Sequence, residues 1–228
     1  EVSGEVNNGD ITANLTYTNS GNHSVDGWNF VGNPYPSFID IEAAEGWHWE
    51  NVDKAIYFLN STSKSMGEYY SYINGISNPS SVSSLISPFQ GFWVKVSGNS
   101  TGSGKLSLNN KARTDDINAS FYKKKNSKDN RQLLRLRCSQ YMNSSIFTET
   151  VIYFEAGATE FFDTDKDAYK IMSTDGRPDI FSMSSDKIKL SINAISELTE
   201  NIDVPIGLKL QKDDQYEINV TEISNFHK

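Results

Sequence analysis

Asp163, Asp165 and Asp167 place a carboxylate at every second residue, which is how calcium loops gather oxygen ligands. An EF-hand loop would also need glycine at its sixth position and glutamate at its twelfth, where Ala168 and Thr174 stand. Two readings stay open: a calcium site of another kind, or an acidic turn ahead of a strand at Tyr169. A second set is aromatic. Trp47, Trp49 and Tyr70 stand close in sequence, in contexts that favour exposure, and exposed rings can stack on the apolar faces of sugars. The competing reading puts these rings in the core.

Other chemistry is weaker. Asp40, Glu42, Glu45 and Glu50 surround Trp47-His48-Trp49, but no pattern selects the facing pair that glycoside hydrolysis needs. His23, His48 and His227 lack ligand or triad spacing with one another or with a cysteine. The single cysteine, Cys138, shares a strand face with Leu134 and Leu136 and reads as a buried thiol. No catalytic constellation emerges, and the chain is expected not to be an enzyme.

The elements that must carry these residues read as strands. Period-two alternation runs through Ile11, Ala13, Leu15 and Tyr17, and again through Ile188, Leu190, Ile192 and Ala194. It returns at Val204, Ile206, Leu208 and Leu210, and at Tyr216, Ile218 and Val220. Further strands are expected over 28–31, 54–59, 69–73, 91–96, 105–108, 133–138, 150–155, 168–171 and 180–183. Short strands cut by Gly, Asn, Ser and Pro predict an all-β chain of two consecutive antiparallel β-sandwich, jelly-roll-like domains. The polar stretch 109–116 reads as the connector, dividing the chain into 1–112 and 113–228.

Between the Trp28 strand and this frame lies Gly32-Asn33-Pro34-Tyr35-Pro36-Ser37. Its prolines preset φ and bias their predecessors away from helix. Asn33 can hydrogen-bond its own backbone two residues on. The stretch reads as a rigid corner, with Tyr35–Pro36 as a candidate cis bond.

With 37% apolar and 12% aromatic residues, the 228-residue chain has enough material for packed cores. A net charge of −8 argues against nucleic acid, which wants clustered Lys and Arg. The one basic cluster, Lys123, Lys124, Lys125, Lys128 and Arg131, reads as a solvated hairpin loop. No run approaches the roughly 20 apolar residues of a membrane span. No signal peptide opens the chain, so it is expected to be cytosolic or a mature or excised part of a longer secreted protein.

Several motifs in order carry a family resemblance. Gly27-Trp28-Asn29 leads into Val31-Gly32-Asn33-Pro34-Tyr35-Pro36-Ser37, followed by Asn51-Val52-Asp53-Lys54-Ala55-Ile56-Tyr57. Tyr69-Tyr70-Ser71-Tyr72-Ile73-Asn74-Gly75 and Gln90-Gly91-Phe92-Trp93-Val94-Lys95 come next. Later stretches are Glu149-Thr150-Val151-Ile152-Tyr153-Phe154, Asp167-Ala168-Tyr169-Lys170 and Val204-Pro205-Ile206-Gly207-Leu208. Together they resemble a C-terminal-region β-sandwich module of large secreted and surface proteins of Bacteroidetes-type bacteria. Such modules usually precede a small sorting domain read by the type IX secretion system. The resemblance implies a secreted or cell-surface, outer-membrane setting, with the parent's other domains and the secretion and attachment machinery as partners. It also implies further strands beyond Lys228, so the second sandwich is expected to be incomplete at its C-terminus. The expected role is a non-catalytic structural or adhesive module. The alternative is a carbohydrate-binding module that takes extracellular glycans on Trp47, Trp49 and Tyr70.

Overall fold

The computed structural model describes residues 4–22, 24–63, 66–97, 102–115, 129–197 and 201–226. His23, His227 and the basic cluster at Lys123, Lys124, Lys125 and Lys128 lie outside the described residues. The strands run β1 (Ile11–Thr16), β2 (Trp28–Gly32), β3 (Phe38–Asp40), β4 (Trp47–Glu50), β5 (Ile56–Ser63) and β6 (Met66–Ile73). Next are β7 (Ile76–Asn78), β8 (Leu85–Ile86), β9 (Gly91–Lys95), β10 (Ser103–Leu108), β11 (Arg113–Thr114) and β12 (Leu133–Gln140). The order ends with β13 (Asn143–Phe154), β14 (Ala168–Tyr169), β15 (Asp179–Met183), β16 (Lys189–Ile195), β17 (Ile206–Lys209) and β18 (Tyr216–Ser224). The fold is all-β, as the alternation predicts. Among the described residues no helix is long and apolar enough to cross a membrane.

The chain forms two compact units, Glu1–Phe58 with Ser81–Lys124, and Leu59–Ser80 with Lys125–Lys228. The expected division at 112/113 is contiguous, so it differs in two ways. Residues 59–80 group with the second unit, and Arg113 and Thr114 stay in the first because β11 pairs with β3.

In the first unit β10 pairs with β1 and β4, β3 lies between β11 and β8, and β9 pairs with β2 and β5. Alternation places Leu15, Leu106 and Leu108 inside, and Phe92 and Val94 are wholly buried. Trp28 and Trp93 are half-buried on the opposite face of β9, paired across to Lys95 and Phe30. The corner after β2 is built as its residues suggest. The Tyr35 N–H donates to Asn33 Oδ1 at 2.9 Å, and the Asn33 amide reaches the carbonyls of Ser37 and Ile86. The buried Tyr35 hydroxyl meets the Gly9 and Leu108 carbonyls at 2.6 and 2.9 Å. The cis X–Pro bond is Asn78–Pro79, and Tyr35–Pro36 is trans.

In the second unit the main sheet runs β17-β15-β16-β13-β12-β18, with β14 also on β16. One pairing departs from the antiparallel expectation: β13 and β16 are parallel, from Val151 opposite Ile192 to Phe154 opposite Ile195. Parallel neighbours require a crossover, and residues 155–188, which include β14 and β15, supply it. The hairpin β6–β7 belongs to this unit. Ser71 Oγ meets Ser191 Oγ at 2.7 Å, and the Asn78 amide donates to the Glu149 and Ser191 carbonyls. The edge strands β17 and β18 keep Leu208, Ile218, Val220 and Ile223 exposed.

Candidate functional site

Trp47 and Trp49 lie on β4, an edge strand of the first unit. Their i, i+2 spacing puts both rings on one face, while His48 and Glu50 point to solvent. That face is the inward one: Trp49 pairs with Leu106 and Trp47 with Leu108, both buried. The two indoles stack with centroids 5.3 Å apart and planes within 9°. The Trp47 N–H donates to the Asp40 carbonyl at 2.7 Å, and its ring meets Phe92 edge-on. Both rings are half-buried, so they close the rim of the core and still show an edge to water. The surrounding acids are taken up at the surface: Glu50 pairs with Lys105 at 3.1 Å, Glu45 with Lys111, and Asp40 caps the Glu42 N–H. Tyr70 is also half-buried, but it sits on β6 in the second unit, with its hydroxyl accepting from the Asn60 amide at 2.6 Å.

The three alternating aspartates are not brought together as ligands. Asp163 accepts the Thr159 N–H at 2.6 Å, and Asp165 pairs with Lys166 at 3.1 Å. Asp167 is wholly buried and spends its two oxygens on the N–H groups of Asp163 (2.7 Å) and Ala194 (2.6 Å). Burial pushes the Asp167 carboxyl up to about 7, against the pull of those two backbone bonds. The stretch is a turn pinned to β16. Among the described residues no group of His, Cys, Asp or Glu is arranged to hold a metal ion.

The densest buried chemistry lies elsewhere in the second unit. Lys170 follows β14 directly and its backbone N–H bonds the Lys189 carbonyl on β16, which turns its side chain inward. Only 6% of that side chain is exposed, and Nζ lies 3.4 Å from Oδ1 of Asp179, which is wholly buried at the head of β15. Ser173 donates its Oγ–H at 2.8 Å and its N–H at 3.2 Å to the same oxygen. Glu68, on β6, accepts from Arg177 at 2.8 Å through Oε2, and Arg177 also forks onto Asp175.

Electrostatics tie these groups together. Burial drives the Lys170 amine below its ordinary range, opposed by the nearby Asp179 and Glu68 carboxylates. Burial pushes Glu68 up to about 7, opposed by Arg177 and Lys170 and reinforced by Glu149 and Asp175. Cys138, buried on β12, feels the same Lys170 and Asp179 charges, and burial raises its thiol. Beside this cluster the buried Glu149 carboxylate lies between Arg137, at 2.8 Å, and Arg135, at 3.6 Å.

None of Glu68, Lys170, Asp179 or Arg177 stands out in the sequence. The available signal is a charged residue flanking or interrupting an apolar strand, as Lys170 follows Ala168-Tyr169 and Asp179 precedes Ile180-Phe181. Charges in that position usually end a strand at the surface, and only tertiary packing turns these inward. No curated protein and no solved structure matches the chain. Over residues 1–228, its full length, the chain belongs to the family described as a domain of unknown function (DUF8693).

Proposed function

We propose that this chain is a non-catalytic structural or adhesive module of a larger secreted or cell-surface protein, of the type IX-exported kind its motifs resemble. The observation that carries this reading is what the buried charged groups do. Glu149 is closed between Arg135 and Arg137, Arg177 forks onto Asp175 and Glu68, and Asp167 caps backbone N–H groups of its own unit. Groups committed to internal bracing favour rigidity over turnover. The test is in-frame deletion of residues 1–228 from the parent protein in its own cell, with surface display and cell adhesion as readouts. Loss of display or adhesion supports the role, and unchanged display and adhesion overturn it.

A second reading is favoured by the half-exposed Trp47–Trp49 stack: a carbohydrate-binding edge on β4. A glycan array on the wild type and on Trp47→Ala and Trp49→Ala decides it. Binding lost in both variants supports the edge, and binding absent from the wild type removes it. Tyr70, the third residue of this reading, lies on β6 in the second unit with its hydroxyl accepting from the Asn60 amide.

A further inference from the structure

Lys170, Asp179 and Glu68 place an amine and two carboxyl groups inside one folded β unit. Buried ion pairs are ordinarily stabilised as ions by several hydrogen bonds to each partner. Here the donors are one-sided: Ser173 serves Asp179 through both its N–H and its hydroxyl. We propose that Lys170 and Asp179 condense to an intramolecular amide, with Glu68 carrying the proton between them. This inference stands apart from the module's proposed role.

The geometry brings the two reacting groups into contact. Nζ lies 3.4 Å from Oδ1 of the carboxyl whose carbon it must attack, so the two partners are already held together as an ion pair. The attack needs a neutral amine, and burial lowers the Lys170 amine toward that form. A proton carrier works best when it titrates near the ambient pH, and Glu68 is pushed up to about 7. Arg177 holds Glu68 by Oε2 and fixes the carboxyl in place. The Ser173 hydroxyl and N–H point at the Asp179 oxygen that becomes negative in the tetrahedral intermediate, the placement of oxyanion donors. Exclusion of water from this wholly buried carboxyl favours the amide over its hydrolysis.

The step balances without any added reagent. Lys170 passes a proton to Glu68 and becomes an amine, and Glu68 hands that proton on to Asp179, which becomes a carboxylic acid while Glu68 returns to its carboxylate. Nζ then attacks Cγ, forming the Nζ–Cγ bond. Glu68 accepts a proton from the attacking nitrogen and returns it to the departing Asp179 oxygen. The Cγ–O bond breaks and one water leaves. An ammonium and a carboxylate become an amide and water, with no net change in charge or oxidation state.

Intact-mass measurement of the purified chain, followed by tryptic mapping, tests this. The expected mass is one water below that of the sequence. Trypsin cuts after Lys170 when its amine is free, and it cuts poorly between Arg177 and Pro178. The linked protein therefore yields a single peptide spanning 167–187, one water light, where the unlinked protein yields 167–170 and 171–187 separately. Lys170→Met and Asp179→Ala are expected to restore the full mass. Glu68→Gln keeps the shape and removes the proton carrier, and is expected to leave the bond unformed in a chain with an unchanged far-ultraviolet spectrum. A wild-type mass that stays at the full value after prolonged incubation at neutral pH overturns the proposal, whether or not any variant folds. A lost water that maps outside 167–187 does the same, and a bond that forms in Glu68→Gln removes Glu68 from the mechanism.

Discussion

Replacing Lys95 by methionine tests whether the buried charges of the first unit act as braces. Lys95 is 2% exposed on β9, its ammonium donates to the Asp26 carbonyl, and it sits 5.2 Å above the Trp28 ring. It also neutralises Asp53 and Asp26, each 1% exposed. Asp53 accepts from Ser97 at 2.7 Å and is already pushed up to about 6 by burial, with Lys95 opposing that rise. Methionine fills the same length and removes the cation, so two buried acids lose their nearest positive charge. Breaking a buried pair in this way costs about 3–5 kcal/mol. With a urea slope of roughly 2 kcal/mol per molar, the midpoint falls by about 2 M.

The pH dependence separates charge loss from poor packing. A carboxyl with a raised folded-state pKa contributes stability below its unfolded value, and that stability is lost as pH rises through the folded value. Without Lys95, Asp53 climbs above about 6, so the variant's deficit is greatest at neutral pH. It narrows toward about pH 4, where Asp53 is protonated in the variant and the wild-type Lys95 ammonium has lost that carboxylate as a counter-charge. All four tryptophans lie in the first unit, so urea unfolding followed by indole fluorescence reports this unit directly. A deficit below about 1 kcal/mol, or one equal at pH 4 and pH 7, would refute the charge argument and leave only packing.

Two further outcomes are expected. Tyr35→Phe strips the hydroxyl from the Gly9 and Leu108 carbonyls and costs about 1–2 kcal/mol by the same fluorescence assay, with no pH dependence between 5 and 8 expected from the lost phenol. In the second unit, Glu149→Leu costs about 3–5 kcal/mol by circular dichroism because it takes the shared carboxylate from both Arg135 and Arg137, whereas Arg135→Met costs less because Glu149 keeps Arg137 at 2.8 Å.

Strands long enough to alternate were legible in the sequence. Residues 188–194 became β16 with Leu190 and Ile192 wholly buried, and residues 105–108 became the inner part of β10. Three short elements were not legible, although the two-residue β14 falls within the strand expected over 168–171. β3, β8 and β11 have two or three residues each, too few for a period to register, and they exist because neighbours supply the ladder. Trp47–Glu50 does alternate, but it is only four residues long, and only the pairing with β10 reveals the inward face. The contiguous boundary failed because residues 59–80 carry no compositional mark of belonging elsewhere. Their membership is set by side-chain bonds such as Asn78 to Glu149 and Ser191, which sequence spacing cannot anticipate. Asp163, Asp165 and Asp167 had the right types and the right period for ligands, but the turn spends Asp163 and Asp167 on separate backbone N–H groups and Asp165 on the Lys166 ammonium.

The interior of the second unit explains how a chain of mean hydropathy −0.52 closes a core at all. On β13, Thr148 and Thr150 are wholly buried with Glu149 between them, where an apolar strand would carry valine or isoleucine. Their hydroxyls take over part of a backbone ladder. Thr148 Oγ1 accepts the Ile180 N–H at 3.0 Å and donates to the Pro178 carbonyl at 2.9 Å. Thr150 Oγ1 accepts the Ser182 N–H at 3.2 Å and reaches the Leu190 carbonyl at the same distance. Two threonines spaced by two thus serve two N–H groups of β15 spaced by two. A one-residue slip of β15 would present carbonyls and N–H groups to the wrong partners and leave buried donors unmet, at about 1–3 kcal/mol for each. Apolar contact tolerates sliding, whereas these bonds do not. The polar side chains that weaken the hydrophobic signal in the sequence are therefore the ones that hold β15 in register. Through β15 they also set where Asp179 stands relative to Lys170.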